Sequence, residues 1–120
     1  MILVLFEVTI KKDCMDGYLT IAAKLKDNLT KAKGFIRSER FSSLVNERKL
    51  LSLSVWEDEE AVTEWRNQHE HRKSQLQGRE SVFESYTITV ASLLRSYTDT
   101  ERQEAPKDSN NFFKNIEWAF

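Results

Sequence analysis

One cysteine, Cys14, cannot form an intrachain disulfide in these 120 residues, and with no secretory pattern this points to a reducing, cytoplasmic setting. Proline occurs once, at Pro106, and glycine only at Gly17, Gly34 and Gly78. Three dispersed glycines make no phosphate-cradling loop, so no nucleotide-type cofactor is expected. An excess of one charge is also missing. Eighteen basic residues stand against nineteen acidic ones, and a net charge of −1 gives no electrostatic footprint for nucleic acid. No apolar run approaches the ~20 residues needed to span a bilayer. The apolar start Met1–Phe6 has no basic flank and is cut by Glu7, so it does not read as a signal peptide.

What is present suits one globular domain: 40% hydrophobic and 31% charged residues, enough for a single core. Met1–Ile10 reads as a strand with apolar side chains on both faces. A helix is expected over Met15–Ala32, where Leu19, Ala22, Ala23, Leu25 and Leu29 repeat near a 3.6 period. Asp13 or Asp16 suits its start, and Gly34 suits a C′ position. Phe35–Val45 and Lys49–Trp56 read as two strands joined at Asn46-Glu47-Arg48. In the second, Leu51, Leu53 and Val55 alternate with Ser52 and Ser54, so one face is buried. Asp58 caps the next helix, with Glu59 and Glu60 in its first turn. A break is expected near Asn67, followed by a helical piece through Leu76 that stops at Gly78. Val82–Tyr97 is the last strand.

The order β-α-β-β-α-β is the ferredoxin-like split unit, an α+β fold with both helices on one face of the sheet. The first strand is apolar on both sides, so the other face needs a cover. A second subunit is the simplest one, which makes a homodimer the expected assembly. The domain therefore occupies residues 1–97. A polar linker, 98–111, follows. Phe112, Phe113, Ile116, Trp118 and Phe120 then crowd into a 112–120 tail expected to dock on its own subunit or the partner.

Several stretches carry a family resemblance. They are Gly34-Phe35 with Ser38-Glu39-Arg40-Phe41, Ser54-Val55-Trp56-Glu57-Asp58-Glu59-Glu60-Ala61, Trp65-Arg66 with Glu70-His71, and Gln75, Gly78-Arg79, Phe83, Tyr86 and Arg95-Ser96-Tyr97. In this order and spacing they resemble the antibiotic biosynthesis monooxygenase family, of dimeric α+β barrel fold, over about residues 1–97. The resemblance implies a small homodimer with a pocket between sheet and helices. It also implies oxidation of small aromatic or quinol-type compounds by dioxygen without metal or flavin. Other relatives break down heme. That branch uses an asparagine on the first strand and a tryptophan–histidine pair on the second helix. Here Glu7 and Gln75 stand at two of those three positions, and only Trp65 matches.

Oxygenation without a cofactor needs a substrate that itself gives electrons to dioxygen, held as a phenolate away from bulk water. His71 and Tyr86 are the candidate catalytic residues, His71 as proton acceptor. Trp65 and Arg40 are the candidate substrate-binding residues. Each also has a structural reading: Trp65 as core, His71 as a helix-capping or packing residue, Arg40 as an ion pair with Glu39, and Tyr86 as core with a tethered hydroxyl. No metal site is expected. His69 and His71, two apart on a helix, diverge by roughly 200°. The alternative function is a non-catalytic dimeric module that binds a small ligand.

Overall fold

The structure is a computed structural model. It describes the backbone of residues 1–119, and the side chains of all of these except 69 and 115–119. The elements in chain order are β1 (Ile2–Ile10), α1 (Met15–Thr30), β2 (Phe35–Ser42), β3 (Lys49–Trp56), α2 (Glu59–Arg66), α3 (His69–Ser81), β4 (Phe83–Ser92) and α4 (Lys107–Ala119). The four strands form one antiparallel sheet in the order β2-β3-β1-β4. This is the expected ferredoxin-like topology, with the second helix divided into α2 and α3 and an added terminal helix. Among the described residues, no helix is long and apolar enough to cross a membrane.

Strand β1 lies at the centre because it alone is apolar on both faces. Its even residues meet the helices. Val8 and Ile10 are buried with Tyr18 and Ile21 of α1, Leu50 of β3 and Val82, and Phe6 packs alongside. Ile2 and Val4 pack into a second cluster built on Trp56, Ala61 and Val62, with Leu29, Phe35 and Trp65 around it. The core is thus divided between the two ends of the sheet.

Register places Ser52 opposite Phe6 and Ser54 opposite Val4, between the two clusters on the helix side. The strand alternation expected in β3 is present. Its leucines, however, pair across from Leu5 and Glu7 on the face that the helices do not cover, and the serines turn inward. Leu3, Leu5, Leu51 and Leu53 are only half-buried on that open face, and Phe41 is exposed beside them.

Local chemistry sets the boundaries. Asp58 accepts a hydrogen bond from the Ala61 amide at 2.8 Å and starts α2. The break at Asn67 is made by its amide, which donates to the Thr63 carbonyl at 3.0 Å. Gln68 then starts α3 by accepting from the His71 amide at 2.7 Å. Helix α1 begins without a side-chain cap at Cys14, but Asp16 lies in its first turn, where its charge matches the helix dipole as expected, and Asp13 makes the turn before it, at φ 65°. Gly34 is not the helix C′ residue, because α1 ends at Thr30 and is capped by Lys31. Gly34 lies at φ 81° before β2, and a Cβ there would come within 2.5 Å of the Ala61 Cβ. Gly78 does not stop α3, which runs on to Ser81. It is buried, and an added Cβ would meet the Phe83 ring at 2.4 Å. Strand β4 ends at Ser92, short of Tyr97, where its ladder with β1 runs out at Ile2.

Helix α4 begins at Lys107, inside the segment read as linker. Phe112 and Phe113 are 57% and 52% exposed, and among the described residues α4 makes no substantial contact with another helix or strand. The expected burial of Ile116, Trp118 and Phe120 concerns side chains that lie outside the described residues.

Gly34 links β2 to α2 at a distance only glycine tolerates. Gly34→Ala is expected to lower unfolding stability by about 2–4 kcal/mol, the sum of the left-handed backbone penalty and the overpacking against Ala61. Denaturant unfolding of the two proteins measures it; equal midpoints would show that the junction relaxes freely.

Candidate functional site

Helix α3 is turned toward the interior by the wrong kind of face for a core helix. Its less exposed line is His71, Ser74, Gln75 and Gly78, at spacings of three and four residues. Its one large aliphatic residue, Leu76, is 59% exposed. The sheet side answers in kind, with Ser52 and Ser54 between the two apolar clusters. Ser54 accepts a hydrogen bond from the Trp56 indole N–H at 2.9 Å. Polar side chains on the inward side of a small domain can orient a bound small molecule. The helix-side residues of β4 extend this floor: Tyr86, Ile88 and Val90 lie across from Val8, Phe6 and Val4. They are 38%, 46% and 48% exposed because α3 leaves that part of β4 uncovered.

The four candidate residues fall into two groups. Trp65 and His71 stack with ring centroids 5.0 Å apart, and Trp65 in turn lies 6.1 Å from Trp56. The second helix break makes this meeting possible, since the turn at Asn67–Gln68 carries the chain back over the indole. Tyr86 sits at the other end, 5.7 Å from Phe6 and 5.9 Å from Phe83, with the Arg79 guanidinium 6.0 Å from its ring. Its hydroxyl makes no hydrogen bond among the described residues, so the tethered-core reading does not describe it. Arg40 projects to the helix side of β2, across from Ser52, and lies 5.4 Å over the ring of Tyr18. Glu39 points to the opposite face, which removes the expected Arg40–Glu39 pair. A chain of rings, Tyr18–Phe83–Tyr86, connects Arg40 to Tyr86. Neither residue contacts Trp65 or His71 among the described residues.

Burial pushes the His71 pKa below the ordinary value of 6.5. Its Nδ1 lies 3.4 Å from the Arg66 carbonyl, which opposes the shift, and the nearby Arg72 charge adds to it. In the tautomer that donates from Nδ1 to Arg66, Nε2 carries the free lone pair. Tyr18, Arg79, Ser52 and Ser54 were not identified from sequence as site residues. The serines were the nearest to legible, as polar positions on a strand of the sheet centre. Glu7 faces the open side and pairs with Lys49 at 3.8 Å, and Gln75 supplies no imidazole, so these residues do not fit heme. Among the described residues, no three His, Cys, Asp or Glu side chains converge to hold a metal.

The split β-α-β-β-α-β arrangement, with one antiparallel sheet and its helices, defines the class as a ferredoxin-like α+β protein. The particular family follows from comparison: residues 1–76 match the antibiotic biosynthesis monooxygenase family, and the chain belongs to it. It is 37% identical over 101 residues to a jasmonate monooxygenase of Pyricularia oryzae, covering 84% of this chain and 47% of that protein. The chain thus spans about half the length of this curated relative. In structure it is similar to an antibiotic biosynthesis monooxygenase-family protein from Deinococcus radiodurans, with a TM-score of 0.74 at 9% identity over 82% of this chain and 97% of the other. It is also similar to SnoaB, a cofactor-independent oxygenase from Streptomyces nogalater, with a TM-score of 0.70 at 12% identity over 79% and 94% of the two chains.

The position of His71 has a measurable consequence. Its ring should titrate below pH 6.5 by NMR. Since the folded-state value is the lower one, the unfolded chain takes up the proton first as pH falls. Stability is therefore unaffected above the unfolded value, declines as pH drops through the window between the two values, and then levels off. His71→Gln should remove that part of the acid-side decline in denaturant midpoints between pH 8 and pH 5; an unchanged slope would show that His71 is solvated.

Proposed function

We propose that this protein is a monooxygenase that oxidises a small aromatic or quinol-type compound with dioxygen and no bound cofactor. The observation that carries the reading is the less exposed polar line of α3 together with Ser52 and Ser54 on the helix side of β3, with Trp65 and Tyr86 at either end. Family membership supports oxygenase chemistry, and the cofactor-independent oxygenase among its structural neighbours agrees with the absence of a phosphate-cradling motif.

In this reading His71 Nε2 accepts the phenolic proton. Its lowered pKa keeps it neutral, and so able to do this, at pH 7. Trp65 stacks on the imidazole and fixes its plane. With water kept off the bound phenolate, electrons pass to dioxygen rather than the phenolate being reprotonated. The balance is R–H₂ + O₂ → R=O + H₂O: the substrate supplies all four electrons, one oxygen atom stays on carbon, and the other leaves as water. Tyr86, with a free hydroxyl beneath Arg79, donates to the oxygen that becomes anionic.

A second reading concerns the substrate alone. The guanidiniums of Arg40 and Arg79, each held over a tyrosine ring, suit a carboxylate-bearing substrate such as the jasmonate that names the fungal relative.

Incubation with ¹⁸O₂ and a panel of quinols, phenols and small cyclic carboxylates tests both. The expected product is one labelled oxygen heavier without added metal or flavin, and His71→Ala should lower kcat roughly 10²-fold or more. Binding without turnover across the panel would favour the non-catalytic ligand-binding alternative. The same reading includes a homodimer that buries the open sheet face with Leu3, Leu5, Leu51 and Leu53. Light scattering should give about twice the 14.1 kDa chain mass, and a monomer at micromolar concentration would leave that face without its proposed cover.

A further inference from the structure

The chain beyond β4 is not a loose linker. Arg102 organises it: its guanidinium lies 5.1 Å over the Tyr97 ring and 5.2 Å over the Phe113 ring. Its Nε donates to Asn110 Oδ1 at 2.9 Å and its Nη1 to the Thr98 carbonyl at 3.1 Å. The Asn110 amide donates back to the Arg102 carbonyl at 3.4 Å, and the Ser96 amide donates to Glu104 at 2.8 Å. These bonds join residues 96–113 into one self-supporting arm that carries α4. The radius of gyration is 18.2 Å and the long axis 57 Å. A compact chain of this length would have a radius near 13–14 Å. On the arm, Phe112 and Phe113 form an edge-to-face pair, centroids 5.4 Å apart, that is more than half exposed. The domain meanwhile leaves Tyr86, Ile88 and Val90 uncovered along the edge strand that forms one side of the site.

We propose that α4 is an exchanged arm: in the homodimer of the preceding section, on which this inference rests, Phe112 and Phe113 of each chain seat on Tyr86, Ile88 and Val90 of the other and close its site. Three features select a second copy over the same chain. Among the described residues, the arm makes no substantial contact with the strands or helices of its own domain. The arm leaves the sheet from β4, whose other face belongs to the open surface that a second copy covers, so the arm interface continues that contact. The exchange is also reciprocal, so two aromatic pairs meet two apolar stripes and neither copy keeps an exposed one.

Cysteine pairing between distinguishable chains decides the matter. In a Cys14→Ala background, Phe113→Cys is placed in a chain carrying one tag and Ile88→Cys in a chain carrying another; the two are co-expressed and oxidised. Phe113 is exposed and Ile88 nearly half-exposed, so neither change threatens folding. A disulfide between differently tagged chains should dominate, far above that from a Leu94→Cys control paired with Ile88→Cys. A chain carrying both new cysteines should not close on itself at high dilution. Phe112→Ser with Phe113→Ser should raise amide exchange in residues 86–90 at least tenfold while the dimer mass persists. Intrachain closure, or no link above the control while light scattering still reports a dimer, overturns the exchanged arm and leaves the dimer standing. A monomer by light scattering overturns both.

Discussion

Strand β1 must be covered on both faces, and most of the structure follows from how that is done. Ile2, Val4, Phe6, Val8 and Ile10 turn one way, and Leu3 and Leu5 the other. A strand of this kind is stable only at the centre of a sheet, with β3 and β4 on its two edges. Two helices of the length available cover one face, and nothing within the domain is left for the other. The leucines of β3 fall on the uncovered side because antiparallel pairing sets them beside Leu5 and Glu7, and not because they are expendable to the core.

That same register gives the protein its middle layer. Two apolar clusters hold the sheet to the helices at its ends, and serines lie between them where a core would place leucine. The domain accepts less buried apolar area in return for a polar interior, a common arrangement where a site is built into a small fold. Helix α3 is tied in at its two ends. Gln68 and the Trp65–His71 stack hold its start, and the contact of Gly78 with Phe83 holds its finish. Its centre is therefore free to carry Ser74 and Gln75 without contributing to cohesion.

In the proposed reaction, His71 is a packing residue and a reactive one at once. The stack with Trp65 supports its structural reading, and the burial that the stack creates lowers its pKa and keeps its outer nitrogen unprotonated at neutral pH. Arg40 and Tyr86 stand apart from this pair, at the opposite end of the middle layer, so a substrate that engages all four must bridge the space above Ser52 and Ser54.

Alternation and period in the sequence determined the element order, the helix break at Asn67, the Asp58 cap and the two-sided first strand, because each depends on neighbours within a few residues. Family resemblance likewise rested on local junctions. Element ends were less legible: β4 stops where its partner β1 ends, and α1 stops at Thr30, short of Gly34. The direction in which each face of β3 points was decided only by the tertiary structure, since a period of two cannot tell inside from outside. Tyr18 and Arg79 meet Arg40 and Tyr86 only through packing of helix on sheet, α1 against β2 and α3 against β4. The tail's aromatics were plain in sequence, but the arm that carries them depends on Arg102 reaching Tyr97 and Phe113 at once, and only the folded geometry brings those three together.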